Sequence, residues 1–82
     1  MVIEHFTHGT DVVGKRFHER GRMLPEGVTY QTSWITADGS RCYQLMEARD
    51  AVALAEWTER WSDVVDFEIF EVKTSAEFWA RR

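Results

Sequence analysis

Eighty-two residues set a single domain near the lower size limit for a chain that folds without disulfides or metals. A hydrophobic fraction of 44%, with four Trp, five Phe and two Tyr, excludes disorder and leaves more aromatic surface than so small a core hides alone. The net charge of −4 comes wholly from residues 42–82, with five basic and nine acidic groups against five and five in residues 1–41, so the basic field that a nucleic-acid backbone requires is missing.

In chain order, "MVIEHF" is β-branched and aromatic and predicts a first strand over residues 2–7. Gly9 punctuates it, and Thr10 or Asp11 stands ready as a helix N-cap. In "DVVGKRFHERGRML", Val13, Phe17, Gly21 and Leu24 form a helical stripe. Gly21 is compatible with a left-handed cap or with a helix interior, and the apolar Met23 and Leu24 favour continuation to residue 24. The basic run "GKRFHERGR" reads as a solvated helix face. After the "LPEG" turn, "VTYQTSWIT" alternates over residues 28–36 as strand two, and Asp38-Gly39 signals a hairpin into an antiparallel strand three over residues 40–48. Asp50 caps a second helix, "DAVALAEWTERWSD", whose Leu54, Trp57 and Trp61 share one face directed at the core. "VDFEIFEV" alternates as strand four. Thr74, three residues before Glu77, opens a short C-terminal helix over about residues 75–82.

The order is β-α-β-β-α-β plus a tail. Two split β-α-β units of this length predict an α+β, ferredoxin-like domain over residues 1–82: a four-stranded antiparallel sheet with both helices on one face. The second sheet face is left bare, and pairing with another copy would cover it. The expected partner is therefore a second identical chain, a homodimer joined through the open sheet face.

The polar residues inside the strands are the best clue to function. Side chains alternate, so strand three divides into Tyr43 and Leu45 on one face and Cys42, Gln44 and Met46 on the other. If the helix side is the more uniformly apolar one, Ile3, Tyr43 and Leu45 point at the helices and so does His5. Glu4 and Gln44 then share the open face, while Glu47 falls on the helix side near the strand end. A buried Glu4 needs a partner or a raised pKa. One reading is a Glu4–Gln44 hydrogen bond that only fixes strand register. The other is a cleft with polar anchors in an aromatic lining, the usual build of a small-molecule site, with Glu4, Gln44 and a Trp34 wall binding an apolar or aromatic ligand. Glu4 in such a cleft would also suit acid–base chemistry.

Other chemistries find less support. Cys42 reads as a small buried hydrophobe, with no base or oxyanion site for a nucleophile. His5, His8 and His18 lack metal-ligand spacing, and no cofactor motif is present. The start "MVIEHFTHG" is too short and polar for a signal peptide, and no apolar run reaches membrane-spanning length, so a cytoplasmic protein is expected.

The runs "MVIEHF", "FHERGRMLPEGVTYQTSW", "SRCYQLMEARD" and "EWTERWSDVVDFEIFEV" together resemble a family of small bacterial domains of unknown function, over nearly the whole chain. The resemblance implies a dimeric α/β-barrel fold, similar in architecture to cofactor-independent monooxygenases, stress-responsive barrel proteins and muconolactone isomerase. It transfers no catalytic residue. Three functions stand side by side: a homodimer that binds a small apolar ligand, a cofactor-independent oxygenase or isomerase with Glu4 as acid/base, and an interaction module whose cleft is filled by side chains.

Overall fold

Strand-forming and helix-forming segments alternate along the chain as the sequence pattern demands. The computed structural model describes residues 1–80, so the last two positions of the expected C-terminal helix lie outside the described residues. The elements are β1 (Val2–Phe6), α1 (Thr10–Arg20), β2 (Val28–Ile35), β3 (Arg41–Ala48), α2 (Ala51–Glu59), β4 (Val65–Ile69) and α3 (Ser75–Ala80). The four strands form one antiparallel sheet in the order β2-β3-β1-β4, the ferredoxin-like arrangement. Among the described residues no helix is long and apolar enough to cross a membrane.

Element ends depart from expectation where a local force overrides the pattern. The first helix starts at Thr10 with Gly9 as its cap and no side-chain capping bond, so neither Thr10 nor Asp11 takes that role. It stops at Arg20 instead of running on to Leu24. Gly21 turns into the left-handed region at φ 67°, where a Cβ is disfavoured, and its N–H donates to the Phe17 carbonyl at 2.7 Å. Strand four ends at Ile69, not at Val72, because Ile69 is paired with Val2, the first residue of β1. Beyond it only the Phe70 N–H reaches back, to the Met1 carbonyl at 2.8 Å.

Two caps follow the sequence closely. The Asp50 carboxylate accepts from the Ala53 N–H at 2.8 Å, and Thr74 Oγ1 accepts from the Glu77 N–H at 3.1 Å. In the hairpin, Gly39 takes φ 76° and Asp38 gathers the Ser40 N–H and the Thr36 and Ser40 hydroxyls. These donors hold the Asp38 carboxyl down to about 2.

The core lies between the sheet and α2. Val2, Trp57, Trp61, Val64 and Val65 are buried together, and Phe67 meets Trp57 edge-on at 5.5 Å between ring centroids. By contrast, no residue of α1 is buried. That helix is tethered from outside by Arg16, whose guanidinium grips Asp63 with two bonds of 2.7 and 2.6 Å and also reaches the Arg60 carbonyl. Val13 packs on the core and Arg16 also lies over the Trp61 ring, yet with no residue buried the helix leaves space beneath it.

Candidate functional site

That space is a crevice of about 340 Å³ between α1, the sheet and α2. From α1, the positions Thr10, Val13, Gly14 and Phe17 repeat at three and four residues and so share one helical face toward it. Gly14 matters most among them. A Cβ built there meets no atom within 4 Å, so the missing side chain is room, in a helix where glycine costs about 1 kcal/mol relative to alanine. The indoles of Trp57, on α2, and of Trp61, just past its end, also line it.

The floor is polar, and it inverts the expected facing of the strands. Glu4, Phe6, Cys42 and Gln44 line the crevice on the helix side, together with Ser33 and Ile35 of β2. Ile3, His5, Tyr43 and Leu45 therefore point to the opposite, open face, and the assignment of Ile3, His5, Tyr43 and Leu45 to the helices is corrected. Glu47 shares the open side and accepts from Gln31 at 3.2 Å there. The physical reason is that α1 does not seal the sheet. Uniform apolarity is needed under α2, where Val2 and Val65 supply it; under α1 the sheet faces a crevice and tolerates polar groups.

Of the three residues expected to share a ligand site, two are brought together and one is not. The Gln44 amide N–H donates to the Glu4 carboxylate, and both side chains are buried, with Glu4 6% and Gln44 7% exposed. Trp34 pairs with Tyr43 across the hairpin and lies 57% exposed on the other face, between the crevice-lining Ser33 and Ile35. His5 binds Glu68 at 2.5 Å on that same open face. Among the described residues no group of three or more His, Cys, Asp or Glu stands close enough to hold a metal ion.

Electrostatics follow burial. Loss of water raises the Glu4 pKa above its ordinary 4.5, against the opposing pull of the Gln44 and Cys42 hydrogen bonds and the Arg22 charge. The Cys42 thiol is pushed up to about 11 by its own burial and by the neighbouring Glu4 charge, which makes it a neutral group at physiological pH. The carboxamide oxygen of Gln44 is buried with no hydrogen-bond partner. A buried acceptor left in this state costs about 1–3 kcal/mol.

Arg22 is the wall residue that sequence reading passed over as part of a solvated basic run. Its guanidinium stacks on Tyr30 at 3.5 Å from the ring centroid and stands 5.0 Å from Phe17. Its backbone is pinned by both buried indoles, since Trp57 Nε1 and Trp61 Nε1 each donate to the Arg22 carbonyl at 3.0 Å. The next residue, Met23, is forced to φ 56°, and Arg60 holds that strained turn through its carbonyl at 2.7 Å. The sequence signals for these positions are a glycine within a predicted helix, Gly14, and two Trp on one predicted helical face.

No curated protein and no solved structure matches the chain. A family model does, over residues 1–81, and the chain thus belongs to the family described as Domain of unknown function (DUF3303).

Proposed function

We propose that this domain binds a small apolar or aromatic molecule in the crevice under α1, held by the Glu4–Gln44 pair. The observation that carries this reading is the Gln44 side chain, which lines the crevice while its carboxamide oxygen is buried without a donor. A pair serving strand register alone would have no use for a third, unsatisfied acceptor beside about 340 Å³ of space. The same volume weighs against an interaction module with a filled cleft. Mostly apolar walls with a few convergent polar groups are the common build of a ligand pocket.

Acid–base catalysis is the second reading, favoured by the upward shift of Glu4. A carboxyl ionising closer to neutrality shuttles a proton more readily than an ordinary one. Pairing of two copies is a further part of the proposal. Ile3, Tyr43 and Leu45 on the central strands, with the exposed Trp34 beside them, make the open sheet face apolar enough to seek cover. Sedimentation is expected to show a dimer that Trp34→Glu weakens; a wild-type monomer at micromolar concentration would contradict it.

Gly14→Leu tests the crevice itself. Leucine is a better helix former than glycine, so the fold should hold or gain stability while the new side chain occupies the space. Naphthalene, a bare apolar probe, is expected to bind wild type saturably and Gly14→Leu at least tenfold more weakly, with Trp34→Ala unaffected. Equal binding to wild type and Gly14→Leu would refute the assignment.

A further inference from the structure

The class of ligand can be narrowed, on the premise that the crevice is a ligand site. Size comes first. At about 30 Å³ for each water in the liquid, the crevice has room for roughly eleven non-hydrogen atoms, the bulk of one substituted ring or two fused ones. Its lining is rich in aromatic rings: Phe6 from β1, Phe17 from α1 and the indoles of Trp57 and Trp61.

Polarity comes next. The Gln44 carboxamide oxygen is an acceptor waiting for a donor. Glu4 beside it accepts when ionised and donates when protonated, and its other neighbours are the Cys42 thiol and Arg22. Any donor satisfies the Gln44 oxygen; a hydroxyl also accepts, so it can meet a protonated Glu4 as well, which a ring N–H cannot.

Charge completes the argument. Among the residues lining the crevice, one acid, Glu4, stands against one base, Arg22; β2 offers Ser33 and Ile35, α1 offers Thr10 and apolar residues, Trp57 and Trp61 offer indoles, and the Cys42 thiol is pushed up to about 11. An ionised ligand would bring an unmatched charge into apolar surroundings, where it is poorly tolerated.

We propose that the crevice takes an uncharged ring hydroxyl compound, a phenol or enol on one or two fused rings, with its O–H donating to the Gln44 carboxamide oxygen and its ring against Phe6 and Phe17. The aromatic walls bind the ring, and the buried amide reads the hydroxyl. Analogues that fill the space without a donor leave Gln44 unsatisfied and bind less well.

Calorimetric titration of the full chain with 2-naphthol, its methyl ether 2-methoxynaphthalene, naphthalene and 2-naphthoate tests this. The expected order places 2-naphthol at least tenfold tighter than the ether, the hydrocarbon and the anion. In Gln44→Leu the preference for naphthol over its ether should collapse to less than threefold. The wild-type series decides the matter even if that variant fails to fold. Ring binding without preference for the hydroxyl would overturn this inference and leave the crevice reading intact, as would tightest binding of 2-naphthoate. No binding by any of the four would overturn both.

Discussion

Replacing Glu4 by Gln keeps the side chain's shape and removes its charge, so it isolates what burial of that carboxylate does to the fold. Stripping water from an ionised carboxylate costs several kcal/mol in a protein interior, and a charge-assisted bond such as the one from Gln44 returns about 1.5–3 kcal/mol. The raised pKa of Glu4 shows that desolvation outweighs the hydrogen bonds. The neutral isostere should therefore recover a remainder of about 1–2 kcal/mol at neutral pH, and its new amide N–H can serve the Gln44 oxygen as well. For a domain this small the gain corresponds to a rise in Tm of roughly 5–15 °C. The sign of the pH dependence follows from linkage. Because the folded state holds the Glu4 proton more tightly than the unfolded chain, wild-type stability is full below the ordinary value of 4.5. It is lost as pH rises from there through the raised folded value. Urea unfolding of both proteins at equal concentration, at about pH 4 and about pH 8, reads the difference directly. Glu4→Gln should be the more stable protein at the higher pH and lose that lead at the lower one. A variant less stable than wild type at about pH 8, or a gap that ignores pH, would refute the assignment of a desolvated carboxylate.

Cys42, with its thiol pushed up to about 11 beneath the crevice, should resist alkylation by iodoacetamide at mildly alkaline pH in the native protein and react at once when unfolded. Native labelling at the rate of a free thiol would contradict its burial. The Arg16–Asp63 grip is the main tether of α1, and Arg16→Leu should speed amide exchange in residues 13–17 several-fold while β1 and β3 stay protected; unchanged exchange in α1 would show that the helix is held elsewhere. Asp63 is held down to about 2 by the same guanidinium, so that contribution is present above the ordinary 3.8 and fades only as pH falls toward 2.

How far the chain disclosed itself can be judged residue by residue. The strand and helix order was legible because period-two and helical stripes are dictated by local burial, and Asp50 and Thr74 announced their helices by capping chemistry alone. The burial of Glu4 beside Gln44 was legible as well, from a charged and an amide side chain inside β-forming runs. Their facing was not. The rule that the helix side must be uniformly apolar failed because α1 is tethered by a surface ion pair between residues 47 positions apart, a contact invisible to local pattern. Gly21 misled for a related reason: Met23 and Leu24 do pack on the core, but from a pinned turn instead of a continuing helix. Trp34 reads as a ligand wall because it is a large aromatic in the strand next to the one that carries Gln44, but the register pairs Ser33 with Gln44 and Trp34 with Tyr43. The bulge between Tyr30 and Thr32, which sets which β2 residues face the crevice, leaves no sequence mark, and Trp34 falls on the far face.

Everything rests on the helix-covered side of the sheet, and not the open side, being where a small molecule enters. A nitrogen–proton correlation spectrum titrated with 2-naphthol separates the two faces through indole reporters. Saturable shifts of the Trp57 and Trp61 indole N–H signals and of the Gln44 side-chain amide, with Trp34 unmoved, are the predicted result. A response confined to Trp34, or none that saturates, would contradict it.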